Sequence, residues 1–290
     1  MTATSVTALD ITPEERRSGA LTASRLAESV RAVRQDGYVI LNDLIDPATL
    51  APIRDRMLAD VAKILSRDDV PYNFNRGNVQ QDPPPFPPYL AREVLCNDIV
   101  IAITRTVLGV GLFNGMYSGN TALPHSTVRQ PVHADSGQLW PDLDVAPPAH
   151  ALVVNVLPVD GSPENGSTEI WPGTHLDTSV VLQTGDIKVS ARRVAERREV
   201  APGIQYSARA GSVVIRDMRL WHAGMPNPSD LPRPMIAMVH YVSWWARPEP
   251  MEFAAGSEPY LAHPVLRHHA RYVADPADYT RRNQAYDFVK

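Results

Sequence analysis

Residues 151–175 read ALVVNVLPVDGSPENGSTEIWPGTH. Two short runs, Ala151–Leu157 and Glu169–Trp171, are separated by Asp160-Gly161-Ser162-Pro163 and Asn165-Gly166, and Pro172-Gly173 stops the second. Apolar runs this short, bounded by glycine, proline and asparagine, are strands joined by turns; a helix needs a longer stretch with its own periodicity. The same rhythm continues on both sides, with Val128–Val132 upstream and Ser212–Ile215 and Ile236–Tyr241 downstream. Many short strands with such punctuation close into a sandwich or barrel. Residues from about 110 to 245 are therefore expected to form a β-core.

Upstream the pattern is helical. Thr22 can cap a helix running to about Gln35, with Leu26, Val30 and Val33 on one stripe, and Gly37 stops it. Tyr38–Leu41 reads as a short buried strand. Asp46-Pro47 opens a second helix with Leu50, Ile53, Met57, Val61 and Ile64 at three- and four-residue steps, and a third fits 97–108. Residues 1–12 are expected to be a flexible tail. Residues 66–90, where Asp82 precedes five prolines broken only by Phe86, are expected to be a loop, either a lid or a fixed wrap. The fold class is mainly β with flanking helices, and the whole chain, 1–290, is expected to form one domain.

Composition narrows the function. A formal charge of −4 argues against a nucleic-acid partner. The local cluster Arg192, Arg193, Arg197 and Arg198 is interleaved with Glu196 and Glu199 and reads as a solvated face. With Cys96 as the single cysteine, an internal disulfide or a thiolate cluster is excluded, so any metal must be held by nitrogen and oxygen. Cys96, beside Val94, Leu95 and Ile99, reads as packing. Neither a signal-type apolar run nor a bilayer-length one is seen, so a soluble, cytoplasmic protein without a membrane partner is expected.

Three features then fall into one pattern. In His133-Ala134-Asp135, residues i and i+2 of a strand share a face, so an imidazole and a carboxylate can reach one ion. His222 follows the strand-like Val213–Ile215 and precedes a turn. Two histidines and one carboxylate leave coordination positions open, which suits iron(II) that must bind oxygen and a co-substrate together. Arg233 comes eleven residues after His222, at the start of the next strand, and a planar guanidinium suits a carboxylate clamp. Taken singly, each has an ordinary explanation: a chance triplet, a loop histidine beside Trp221, a surface arginine.

The order His-x-Asp, a long gap, His, then Arg resembles the 2-oxoglutarate-dependent oxygenases. The segment Asn165–His175 is similar to the Asn-Gly … Pro-Gly-Ser-His segment of the phytanoyl-CoA dioxygenase family, with Thr174 in place of serine. Gln35-Asp36-Gly37-Tyr38-Val39-Ile40-Leu41, followed by Asp46-Pro47, resembles that family's opening. The likeness spans about 25–245, and the segment after 246 carries no motif.

The resemblance implies a double-stranded β-helix (a jelly-roll of two facing sheets, cupin-like) with His133, Asp135 and His222 on Fe(II). It places Arg233 on the distal carboxylate of 2-oxoglutarate, with Gln130 and Thr168 as further co-substrate contacts. It also implies O2 consumption, with succinate and CO2 released as a C–H bond of a small metabolite or biosynthetic intermediate is oxidised. Related halogenases replace the carboxylate with a small residue, so Asp135 favours hydroxylation or another oxidation of a C–H bond over halogenation. His175 is expected to be a structural turn residue, and His263, His268 and His269 to be surface residues. Expected substrate contacts are Tyr117, Asn120, Trp140, Trp221 and Trp244, with core packing as the competing role for Trp221 and Trp244. The rival readings are a zinc hydrolase or lyase on the same three side chains, and a non-catalytic β-helix binding module. Arg233 argues against the first, because hydrolysis needs no keto-acid clamp, and the intact triad argues against the second.

Overall fold

A computed structural model describes residues 6–140, 143–178 and 187–286. The chain begins with β1 (Ala8–Asp10), which pairs in parallel with β2 (Tyr38–Asn42). Residues 8–10 are thus a sheet edge and not the expected flexible tail, while residues 1–5 lie outside the described residues. Between these strands lie α1 (Pro13–Ser18) and α2 (Ala23–Gln35), and the Thr22 hydroxyl accepts the Arg25 amide to cap α2. Gly37 then turns at φ +86°, with no space for a Cβ: one there would meet His175 Nδ1 at 2.6 Å. Asp46 caps α3 (Pro47–Leu65).

β3 (Tyr72–Asn73) and β4 (Asn75–Gln80) occupy the first half of the expected 66–90 loop. Pro83, Pro84 and Pro85 are buried. This segment is therefore part of the wall. After α4 (Arg92–Leu95) and α5 (Asp98–Leu108) come β5 (Phe113–Ala122), β6 (Ala151–Val156), β7 (Glu169–Ile170), α6 (Ala191–Val200) and β8 (Ile204–Gln205). Next are β9 (Val213–Asp217), β10 (His222–Ala223), β11 (Arg233–Tyr241), β12 (Met251–Ala254), α7 (Glu258–Leu261), β13 (Arg267–His268) and β14 (Ala270–Val273). The large sheet runs β1-β2-β9-β6-β11-β5-β4-β3, with β13 added to β5; a small sheet runs β10-β7-β8; β12 pairs with β14.

Alternation along β6, β9 and β11 sorts the large sheet into two faces. Leu152, Val154, Val213, Ile215, Ile236 and Met238 pack in one cluster with helix residues such as Val33, Ile53, Met57 and Ile103. The opposite face looks towards the small sheet. Part of that gap is filled by Tyr38, Ile40, Val214, Ile170, Tyr206 and Leu220. The rest is hollow and is walled by Val153, Asn155, Arg216, Met235, Ala237 and Val239 among others.

One expectation fails for a physical reason. Val128–Val132 is not a strand: Pro131 has no N–H to offer, and the Gln130 side chain takes the Gly224 amide instead. Phe113–Ala122 is a strand despite two glycines and a polar composition, because β11 and β4 pair with it from either side. The cluster on α6 is a solvated face, since no residue of that helix is buried and Arg193 pairs with Glu196 at 2.8 Å. Cys96 is buried in the core, and burial pushes its thiol up to about 11. Among the described residues no helix is long and apolar enough to cross a membrane.

The segment after 246 is structural. His268, expected at the surface, hydrogen-bonds Asn114 at 3.1 Å and contacts Cys96, and His263 Nε2 meets Asp98 Oδ1 at 3.0 Å. Further on, buried Arg67 donates to the carbonyls of Thr280 and Asn283, both at 2.9 Å. Tyr286 then exchanges backbone bonds with Tyr72 and Phe74 and reaches the hollow between the sheets. Arg67→Ala removes a charged donor from two carbonyls, so urea unfolding should show a loss of about 2 kcal/mol. Amide exchange over 278–286 should rise well before that of β11; unchanged exchange there would show that Arg67 does not hold this segment.

Candidate active site

The three expected metal ligands come together because of one backbone pairing. His133 N donates to His222 O at 3.0 Å, and His222 N donates to His133 O at 2.8 Å. This reciprocal antiparallel pair extends the small sheet, in which His222 already stands opposite Ile170. Directly opposed residues of an antiparallel pair point to the same face. Both imidazoles therefore enter the hollow, with ring centroids 4.2 Å apart, and Asp135 follows two residues after His133. One ligand atom from each of His133, Asp135 and His222 lies within 4.8 Å of the others.

The hydrogen bonds set which atoms are free. His133 Nδ1 donates to the Pro131 carbonyl at 2.8 Å, and His222 Nδ1 donates to the Leu220 carbonyl at 3.0 Å. In both rings this leaves the Nε2 lone pair for a ligand, the arrangement that orients metal-binding imidazoles. Burial keeps both rings neutral: it lowers His133 and, together with the Arg216 cation, lowers His222 further below the ordinary value. Burial also pushes the Asp135 carboxyl up, but the Arg216 guanidinium reverses this and holds it well below the usual carboxylate range. Two neutral nitrogens and one carboxylate at this separation fit a divalent iron-type ion.

The cavity that holds this cluster measures about 270 Å³. Arg233 reaches it from β11 and is 4% exposed. Its Nε donates to Asn165 O at 3.3 Å, and its two terminal nitrogens have no hydrogen bond among the described residues. Thr168 lines the same cavity. Gln130 also lines it, but both ends of its amide are engaged, Oε1 by the Gly224 amide at 2.7 Å and Nε2 by Asn73 O at 3.1 Å. The Asn165-Gly166 turn that presents Asn165 O depends on Gly166 at φ +76°, where a Cβ would sit 2.7 Å from two carbonyl oxygens.

Of the five expected substrate contacts, only Asn120 lines this cavity. Tyr117 stacks on Phe253 behind β5, because i and i+1 residues of a strand face opposite ways. Trp221 is buried against Trp171. Trp140 and Trp244 are 52% and 64% exposed and stand away from the cavity. His175 bonds the Arg34 carbonyl and is neither one of the clustered ligands nor part of the cavity lining.

Sequence patterns missed Phe74, whose ring centroid lies 4.5 Å from that of His133, and Tyr286, which packs edge-on against Phe74. They also missed Arg216 and Asn155. A signal for this last pair was present: Arg216 directly follows the apolar run Val213–Ile215, and Asn155 interrupts Ala151–Leu157. A polar residue at a cavity-facing position of a buried strand needs a partner there.

The family model described as Phytanoyl-CoA dioxygenase (PhyH) matches residues 33–235. The chain belongs to the phytanoyl-CoA dioxygenase family. The matched span contains all three clustered ligands and ends just beyond Arg233. Solved structures share the fold. The crystal structure of AviO1 from Streptomyces viridochromogenes Tue57 is similar at a TM-score of 0.57 and 21% identity, covering 79% of this chain and 100% of that one. The crystal structure of EvdMO1 gives 0.55 and 22%, covering 75% and 50%. That of EctD from S. alaskensis, with 2-oxoglutarate and 5-hydroxyectoine, gives 0.56 and 17%, covering 91% and 90%. Within the family framework, Tyr286 is a cavity wall supplied from outside the matched span.

Replacing His133, Asp135 or His222 by alanine should weaken Mn(II) binding by at least the roughly 100-fold that even an outer-shell change can cost. His175→Ala should lower stability and leave Mn(II) affinity intact. Because burial lowers both imidazoles below the ordinary value, Mn(II) affinity should fall less from pH 8 to 5.5 than it would with ordinary imidazoles. Ordinary imidazoles, protonating near pH 6.5, would each lose about tenfold of their free form at 5.5. Titrations at the two pH values separate these outcomes.

Proposed function

We propose that this protein is an Fe(II)- and 2-oxoglutarate-dependent dioxygenase that hydroxylates a C–H bond of a small, polar, uncharged metabolite. The observation that carries this reading is Arg233, a buried cation whose terminal nitrogens have no hydrogen bond among the described residues, in the same cavity as the His133–Asp135–His222 cluster. Such a cation is stable only with an anion delivered to it, and a dicarboxylic keto-acid can reach both it and the metal. A hydrolase or lyase has no use for it. The two facing sheets are then read as a double-stranded β-helix, and the solved likeness to EctD holding 2-oxoglutarate supports this.

In this reading the Nε2 atoms of His133 and His222 and one oxygen of Asp135 hold the iron. Arg233 grips the distal carboxylate, with Thr168 and Gln130 beside it. When bound, iron and 2-oxoglutarate supply the oxidising chemistry: O2 is consumed, 2-oxoglutarate becomes succinate and CO2, and one oxygen atom goes to the substrate. Phe74 packs over His133 and excludes water on that side. Asp135 fills the position a halide would need, which favours hydroxylation.

The substrate class rests on the β4–β5 wall. Asn78, Gln80 and Asn120 line the cavity, and their side chains make no hydrogen bond among the described residues; the Oδ1 atoms of Asn78 and Asn120 are buried without a partner. Amides left this way suit hydroxyl or carbonyl groups of a ligand. Met116 and Ser118 also border a second hollow of about 470 Å³, which gives a substrate room to extend beyond the metal cavity.

The test is succinate release with Fe(II), ascorbate and 2-oxoglutarate across a panel of polar metabolites. Wild type should release succinate with at least one panel member, and His133→Ala and Asp135→Ala should release none. Arg233→Met should keep its Mn(II) affinity and lose 2-oxoglutarate affinity on the order of 100-fold. Retained turnover in either ligand variant, or 2-oxoglutarate binding untouched in Arg233→Met, would overturn the reading.

A further inference from the structure

Arg216 is a buried cation on β9, 6% exposed, facing the clustered ligands. Its Nη2 donates to Asp135 Oδ2 at 2.6 Å. The other carboxylate oxygen, Oδ1, lies 3.6 Å from His222 Nε2. Arg216 Nε donates to Asn155 Oδ1 at 3.3 Å, which fixes the tilt of the guanidinium from the neighbouring strand. The two oxygens of Asp135 are thus unequal. One is taken by a charge-assisted hydrogen bond, and the other faces the imidazoles.

Carboxylates bind divalent ions through one oxygen or through both. In an octahedral site, two imidazoles and one oxygen leave three positions open. A keto-acid chelating a metal held there would need two of these positions, and a second Asp135 oxygen on that metal would compete for them. We propose that Arg216 is a positioning residue that makes Asp135 a one-oxygen ligand and so keeps adjacent positions open for 2-oxoglutarate. This rests on the function proposed above. Arg216 touches neither metal nor co-substrate in this account; it acts through Asp135, with Asn155 bracing it.

The experiment loads wild type, Arg216→Met and Arg216→Lys with Mn(II), measures Mn(II) affinity by electron paramagnetic resonance and 2-oxoglutarate affinity by calorimetry, and compares Mn(II)-loaded crystals. Losing a neighbouring positive charge and freeing a second ligand oxygen both favour the metal, so Arg216→Met should keep its Mn(II). Its 2-oxoglutarate affinity should fall by about tenfold or more. Arg216→Lys, which keeps a cation and a donor, should recover most of it. The crystals should show one Asp135 oxygen on the metal in wild type and both in Arg216→Met. Wild-type 2-oxoglutarate affinity in Arg216→Met would overturn the proposal. So would joint loss of Mn(II) and 2-oxoglutarate, which marks a merely structural role, or both oxygens on the metal in wild type. Should wild type bind Mn(II) and never 2-oxoglutarate, the functional reading fails, and the Asp135 geometry in the two crystals still decides the role of Arg216.

Discussion

The reciprocal backbone bond between His133 and His222 is the constraint on which the site depends. It joins a segment that is otherwise irregular to the edge of the small sheet, and it decides that two imidazoles distant in sequence share one face. A one-residue slip of that pairing would send one ring out of the cavity. The bonds from Nδ1 of each ring to carbonyls two residues upstream then set the ring orientation, so the backbone determines both position and tautomer.

Burying this cluster has an electrostatic cost that the surroundings offset. Neutral imidazoles avoid a charged form that burial disfavours, and Asp135 stays ionised because Arg216 stands against it. Arg233 differs. It is as buried as Arg216, but its terminal nitrogens have no hydrogen bond among the described residues. Arg216 is charge-paired with Asp135 and leaves only its Nη1 without a partner, whereas both terminal nitrogens of Arg233 lack one among the described residues, and this asymmetry gives the cavity a metal end and an anion end. The β4–β5 amides Asn78, Gln80 and Asn120 add a neutral stretch to the wall of this cavity.

Much of this was legible in the sequence. Thr22, Asp46 and the apolar stripes behind them located the two long helices, and turn residues bracketed β6 and β7. His-x-Asp, His222 and Arg233 were visible because strand alternation and spacing bear on them directly. Less legible were features created by tertiary pairing. β5 is a strand because its neighbours make it one. The segment after 246 has no motif, yet Arg67 and Tyr72 hold it where Tyr286 meets the cavity. The tryptophans misled because aromatic residues near a metal motif are as useful for packing as for binding, and Trp221 packs. Arg216 and Asn155 could have been found as polar residues that follow or interrupt apolar runs.

The most direct measurement is anomalous scattering at the iron edge from crystals soaked anaerobically with Fe(II) and 2-oxoglutarate. The account predicts one iron on the Nε2 atoms of His133 and His222 and on Asp135, with the distal carboxylate of 2-oxoglutarate on Arg233. Iron bound elsewhere, or a co-substrate turned away from Arg233, would contradict it.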